Sequence, residues 1–237
     1  MDHQTAIAKK GFTVINDVFD TAAVAALIAC IEGADSVKDT FRRTKDLFAI
    51  RQFFKEIPST LPLVFIPALQ RVIDTFFGKG YHIVKSIYFD KPGGSNWFVS
   101  YHQDLTISVK EKVAVEGYGP WTVKQEQFAV QPPLSILENN FTIRIHLDDT
   151  DEHNGALRVL PGSHLKGIYR PETIDWEKEM EETCVVQKGG LMIMRPLLLH
   201  ASSRTTNQHP RRVIHIEFSS LELPLPLRWS ERENLTG

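Results

Sequence analysis

Residues 141–148 read Phe-Thr-Ile-Arg-Ile-His-Leu-Asp, a clean alternation of apolar and polar side chains. On an extended chain this sends Phe141, Ile143, Ile145 and Leu147 to one face and Thr142, Arg144, His146 and Asp148 to the other. Such a strand needs an apolar layer on one side and a polar space on the other. Other β-type runs lie at 82–90, 157–160, 183–186, 190–194, 196–200 and Arg211–Ser219, punctuated by turns such as Lys91-Pro-Gly-Gly and Pro161-Gly162. Many short strands with Gly/Pro turns predict a barrel or jelly roll, with the polar face of 142–148 as an inner wall.

The N-terminal part has helical periodicity instead. Asp20-Thr21 caps a helix over 22–32 that stops at Gly33. A second helix is expected over 62–77, with Leu63, Ile66, Leu69, Ile73 and Phe77 on one face and Gly78 as its stop. Residues 41–55 are mixed and read as loop or a short helix. Residues 110–133, with Gly117, Gly119, Trp121 and Pro132-Pro133, read as a long irregular loop of the kind that forms lids or binding loops. The expected fold is mainly β (α+β), with N-terminal helices packed outside the core. It forms one domain over 1–237: a mainly helical part (1–80), a jelly-roll core (81–220) and a C-terminal extension (221–237).

Charge and cysteine content narrow the function classes. A net charge of -2 over 237 residues, without a Lys/Arg run, provides no field for nucleic acid or an anionic membrane. The two cysteines, Cys30 and Cys184, are far apart and build neither a disulfide framework nor a thiolate zinc site. Cys30 reads as a small core residue. No leader-like segment begins the chain and no apolar stretch reaches membrane-spanning length, so a cytoplasmic enzyme or binding protein is expected.

His102-Gln103-Asp104 places an imidazole and a carboxylate two residues apart, on one face of a strand. With a distant histidine they make a two-His, one-carboxylate set that leaves three positions open on a metal, a pattern suited to iron(II). Two further motifs have this form. His215-Ile216-Glu217 has no histidine downstream, whereas His146-Leu147-Asp148 has His200 and is not excluded by spacing. His102 and Asp104 are favoured because they follow a Gly-rich loop and because the 142–148 face is accounted for as barrel wall.

His200 ends the apolar run Leu197–Leu199, and a polar, turn-rich loop then leads to Arg211-Arg212. Such a loop returns the chain antiparallel and brings an arginine near His200. A guanidinium grips a carboxylate bidentately, as the distal carboxylate of 2-oxoglutarate would require. Alternation places Arg211 inward with Val213, His215 and Glu217, and leaves Arg212 as a surface charge.

These residues resemble the phytanoyl-CoA dioxygenase family of iron(II)/2-oxoglutarate oxygenases. The resemblance runs from about residue 83 to 218. It rests on Tyr101-His-Gln-Asp104, on Asp148-Asp-Thr-Asp-Glu-His-Asn-Gly-Ala-Leu157, on Pro161-Gly-Ser-His164 with Gly167, and on His200-Ala-Ser202 with Arg211 eleven residues after His200. It implies a double-stranded β-helix (jelly-roll) core and iron ligands His102, Asp104 and His200. It also implies Arg211 at the distal carboxylate of 2-oxoglutarate, assisted by Ser202. Arg144 stands where some members have a tryptophan, and is a contact to either co-substrate or substrate. Asn154-Gly155 and Pro161-Gly162 serve turns, and His164 holds its loop.

Halogenase relatives carry a small residue in place of the metal carboxylate, so Asp104 implies hydroxylation, or a related oxidation, of a small organic substrate. In that reaction 2-oxoglutarate and O2 become succinate and CO2. Trp121, Gln131 and Arg195 are candidate substrate contacts. The competing readings are a non-catalytic jelly-roll binding protein and a cupin-like metal-dependent isomerase.

Overall fold

The computed structural model describes residues 1–34, 40–46, 48–124 and 127–235. The chain opens with α1 (His3–Lys10), β1 (Phe12–Ile15) and α2 (Thr21–Glu32), then β2 (Phe41–Arg43), β3 (Phe48–Arg51), α3 (Phe53–Glu56), α4 (Leu61–Val64) and α5 (Pro67–Phe76). Next come β4 (His82–Lys91), β5 (Val99–His102), β6 (Ile107–Val109), β7 (Trp121–Lys124), β8 (Gln127–Val130) and α6 (Leu134–Asn139). The remainder is β9 (Phe141–His146), β10 (Leu157–Val159), β11 (Glu182–Thr183), β12 (Leu191–Met194), β13 (His200–Ser202), β14 (Arg211–Ser219) and β15 (Glu233–Asn234).

The alternation in β9 sets the architecture. Its strand is central in a large antiparallel sheet ordered β1-β12-β9-β14-β4-β3-β2, with β15 also on β4. The apolar face of this sheet, Phe141, Ile143 and Ile145 with Leu191, Ile193, Ile214, Ile216 and Phe218, is covered by Val24, Leu27 and Ile31 of α2 and Leu69 and Ile73 of α5. Phe141 stacks on Phe77 at 3.5 Å and on Phe218 at 4.7 Å between ring centroids. The other face looks inward to a second sheet, β11-β10-β13-β5. Phe12, Met192 and Met194 of the large sheet pack there on Leu157 and Val159 of the small one. These two sheets are the jelly-roll core, and helices pack on its outside.

Several expectations change in detail. Helix α2 begins as expected, with the Asp20 carboxylate accepting from Ala23 N–H at 2.7 Å. The helix expected over 62–77 is instead two, α4 and α5. Ile66 is extended (φ -68°, ψ 157°) because Pro67 follows it, and the residue before a proline is driven out of the helical region. Residues 41–55 supply β2 and β3 before the short α3, so the N-terminal part contributes strands as well as helices. The segment 110–133 is not simply loop: β7 and β8 pair, and β6 joins them in a three-stranded sheet. Residues 196–199 form a turn rather than a strand, and β13 begins at His200.

The C-terminal segment returns along β4. There Glu231 accepts hydrogen bonds from Ser86 N–H at 3.0 Å and from the Ser86 hydroxyl. Among the described residues no helix is long and apolar enough to cross a membrane.

Candidate metal centre

Strands β5 and β13 pair antiparallel in a register that sets His200 opposite His102. Their ring centroids lie 4.2 Å apart. Asp104 follows just past β5, where its N–H donates to Pro196 O at 2.9 Å and ties the turn before β13 to it. His102 Nε2 is 3.9 Å from Asp104 Oδ1, and His200 Nε2 is 3.9 Å from Asp104 Oδ2. One donor atom from each residue lies within 4.8 Å of the others.

The tautomers follow from the backbone. His102 Nδ1 donates to Ser100 O and His200 Nδ1 to Leu198 O, each at 2.9 Å. A carbonyl only accepts, so in the neutral rings both Nε2 atoms keep a lone pair directed at the cluster. Burial alone would push the Asp104 carboxyl up. The charges of His200, His215, Lys85 and His102 outweigh it and hold the pKa at about 2. Burial holds His200 down at about 4. Both groups are therefore deprotonated at neutral pH, the state a metal requires. Asp104 Oδ2 is buried with no hydrogen-bond partner among the described residues, an arrangement that is costly unless a cation satisfies it. Two imidazoles and a carboxylate without a thiolate fit a divalent ion with open positions.

The other two His-x-carboxylate motifs separate clearly. His146 is buried on the inner face of β9, with Nδ1 2.7 Å from Thr150 Oγ1. Asp148 turns away to Arg212, which donates from Nε to Oδ2 at 2.9 Å and from Nη2 to Oδ1 at 2.7 Å. Arg212 is thus half of a bidentate pair on the outer face, a correction to the surface charge expected there.

His215 and Glu217, set aside on sequence grounds, do reach the site: a donor atom of each lies within 4.8 Å of Asp104's. Lys85 donates to Glu217 Oε1 at 2.7 Å and so neutralises that carboxylate. Arg144 Nη1 donates to His215 Nδ1 at 3.0 Å, which leaves the proton on Nε2 to bond Glu217 at 3.1 Å. The line Arg144–His215–Glu217–Lys85 therefore runs beside the His102/Asp104/His200 cluster. Sequence reading missed Lys85, although its place in the alternation of β4 put it on the inner face.

Further into the barrel the charge is positive and unpaired. Arg211, the first residue of β14, is 2% exposed and its register partner across β4 is Lys91, which is 0% exposed. Arg211 Nε and Nη1 and Arg144 Nε have no hydrogen-bond partner among the described residues. Burial and Arg144 lower Arg211 to about 9, and burial and Arg211 lower Lys91 to about 8. Lys91 donates to Ser203 O at 2.5 Å. Ser202 is buried on β13, two residues after His200. This cradle fits a buried carboxylate, as the anion would relieve both desolvation and mutual repulsion.

Other sequence candidates lie elsewhere. Trp121 packs in the apolar cluster under the three-stranded sheet. Arg195 stacks over Phe77 at 5.5 Å and donates to Asn140 O at 3.3 Å, in a groove beside α1 and α6. Gln131 serves the loop through its backbone, bonded to Gly119 and Pro120. His164 Nε2 lies 3.2 Å from Ala8 O and docks its loop on α1. Gln103, between His102 and Asp104, donates to Leu197 O at 2.6 Å and Gly167 O at 2.8 Å and accepts from Tyr169 N–H at 2.9 Å, contacts that no motif in the sequence signalled.

The chain is similar to known proteins over most of its length. It is 23% identical over 218 residues to the peroxisomal phytanoyl-CoA dioxygenase of Homo sapiens, covering 84% of this chain and 57% of that protein. The chain thus spans about half the length of the curated relatives it matches. Among solved structures, the apoform of EctD from S. alaskensis superposes with a TM-score of 0.71 at 18% identity, covering 94% of this chain and 78% of that one. EctD has also been solved with bound Fe, and with 2-oxoglutarate and 5-hydroxyectoine. SnoK, a non-heme alpha ketoglutarate dependent carbocyclase from nogalamycin biosynthesis, superposes with a TM-score of 0.65 at 16% identity, covering 92% and 82%. At these identities the superpositions establish the shared fold. The family model for phytanoyl-CoA dioxygenase (PhyH) matches residues 7–213, and the chain belongs to that family.

Proposed function

We propose that this chain is an iron(II)- and 2-oxoglutarate-dependent oxygenase, acting as a single domain over residues 1–237. His102, Asp104 and His200 hold the iron. Arg211 takes the distal carboxylate of 2-oxoglutarate, with Ser202 and Arg144 beside it. The observation that carries this reading is the pairing of two features within one barrel. A His/Asp/His donor set stands beside a buried guanidinium whose Nε and Nη1 find no partner among the described residues. A metal-dependent isomerase would need the first feature and leave the second without purpose.

When bound, iron and 2-oxoglutarate supply the oxidising chemistry, consuming O2 and releasing succinate and CO2. The chain's own residues orient and shield. The Nδ1–H bonds to Ser100 and Leu198 fix the ligand rings before a metal arrives, so little reorganisation is needed. Arg211 and Lys91 supply positive charge in a dry environment, where an ion pair is stronger than in water. The Lys85–Glu217–His215 line satisfies its own charges, so Glu217 does not compete for the metal. Asp104 fills the carboxylate position, which favours hydroxylation of a small organic substrate as the outcome.

Anaerobic titration tests this reading. Iron(II) and 2-oxoglutarate together should produce a visible charge-transfer band that neither gives alone, and admission of O2 should yield succinate. Failure of 2-oxoglutarate to bind the iron-loaded protein would overturn the proposal. Binding without succinate would identify a non-catalytic carrier.

A further inference from the structure

A cavity of about 590 Å³ adjoins the metal centre, between β4 and the three-stranded sheet. Its volume falls in the ordinary range of small-molecule sites, roughly 300–1,000 Å³. Lys85 and Ile87 line its inner end, as does Thr106, two residues beyond Asp104. Their register partners on β14 are Glu217 and His215, which places all four on the inner face of the sheet. Lys85 Nζ is 2.7 Å from Glu217 Oε1, and a carboxylate oxygen of Glu217 lies within 4.8 Å of one of Asp104. One side of this cavity is therefore also a wall of the metal centre.

The chemistry of the lining is uneven. Ile87 and Phe128 provide apolar surface, while Lys55 and Lys110 line it together with Arg51. Among the described residues the hydrogen bond made by Lys55 Nζ is to the neutral Gln52 Oε1, at 3.3 Å, so its charge is not cancelled there. Among the described residues, the one carboxylate in the lining is Glu231. Burial raises it to about 7, and both of its oxygens already accept from Ser86. At neutral pH it carries at most part of one negative charge against the two lysines.

We propose that this cavity is the substrate chamber and that it takes a small molecule bearing an oxyanion, a carboxylate or a phosphate monoester. The oxyanion sits toward Lys55 and Lys110, and the apolar part lies along Ile87 and Phe128 with the reacting carbon directed to the Asp104 side. This assignment rests on the oxygenase reading and supplies its substrate class.

The test uses protein loaded anaerobically with iron(II) and saturating 2-oxoglutarate, so that Arg211 is occupied. Ethyl phosphate and butyrate are titrated separately by calorimetry. At least one should bind with 1:1 stoichiometry, and the stronger of the two identifies the oxyanion. Its affinity should fall about tenfold or more, roughly 1.4 kcal/mol, in the Lys55→Gln/Lys110→Gln double variant and further in Lys55→Glu/Lys110→Glu. Added salt should weaken it as well. The proposal is overturned if neither probe binds, if binding ignores both double variants, or if excess 2-oxoglutarate displaces the probe. The charge-transfer band is followed in the same samples. Its absence from the wild type would sink the oxygenase reading, whatever the probes do.

Discussion

Lys91 and Arg211 are register partners on adjacent antiparallel strands, both buried and both positive. Burial and Arg211 hold the Lys91 ammonium at about 8. An anion placed between the two would relieve that repulsion. Replacing Arg211 by alanine should raise the 2-oxoglutarate concentration needed for half-saturation by about 10- to 100-fold, since a charge-assisted hydrogen bond contributes about 1.5–3 kcal/mol. Iron(II) affinity measured without 2-oxoglutarate should change much less. Equal losses in both titrations would contradict the assignment.

Gln103 joins the loop after β10 to the turn before β13 through three hydrogen bonds, to Gly167, Leu197 and Tyr169. The variant Gln103→Ala removes the partner of the buried Leu197 carbonyl and of the half-buried Gly167 and Tyr169 groups, at a cost of about 1–3 kcal/mol in urea unfolding. The turn it holds is the one whose Pro196 carbonyl accepts from Asp104 N–H, so metal affinity should fall with stability. Unchanged stability would show that the network is replaceable.

Buried histidines make the metal-free protein acid-sensitive. Burial, with Arg144 and Arg211 nearby, holds His146 well below the ordinary value of 6.5, and burial likewise lowers His215. Below pH 6.5 the unfolded chain binds protons at these positions and the folded chain does not, so stability is full above 6.5 and falls with falling pH. Each such group costs up to about 1.4 kcal/mol per pH unit in that window. Chemical denaturation at pH 7.5 and pH 5.5 should show the loss, and His146→Gln should reduce the slope. A flat profile would mean that these histidines protonate in the folded state.

Phe141 lies between Phe77 and Phe218, with all of its side chain buried. Truncation to alanine should cost about 3–5 kcal/mol in unfolding free energy, through lost burial and the cavity left behind. It lies on the face of β9 opposite Arg144, so the iron affinity of the protein that stays folded should be kept. Loss of iron binding at full stability would contradict this division of the two faces.

The division itself was legible in the residues. The alternation of 141–148 gave an apolar outer face and a polar inner one, and the same period put Arg211 inward and Arg212 outward. The partner of Arg212 was not legible, because Asp148 reaches it across a strand pair that spacing alone does not reveal. The break at Ile66 lay in plain view as the residue before Pro67, but the apolar period ran through it. Strands β7 and β8 were hidden because each is only four residues long, too short for an alternation such as Trp-Thr-Val-Lys to stand out in a segment rich in Gly and Pro. The role of His215 and Glu217 was obscured for a different reason. Their carboxylate is neutralised by Lys85, more than a hundred residues earlier in the chain, and only the packing of β4 on β14 brings the two together.

The register of His102 against His200 brings two imidazoles and Asp104 to one point, and turnover in the absence of a primary substrate tests that convergence most directly. Purified protein given iron(II), 2-oxoglutarate and O2 should form succinate slowly, none should form if iron(II) or O2 is withheld, and His102→Ala should abolish it while remaining folded by circular dichroism. Succinate formation by His102→Ala at the wild-type rate would show that the metal is held elsewhere.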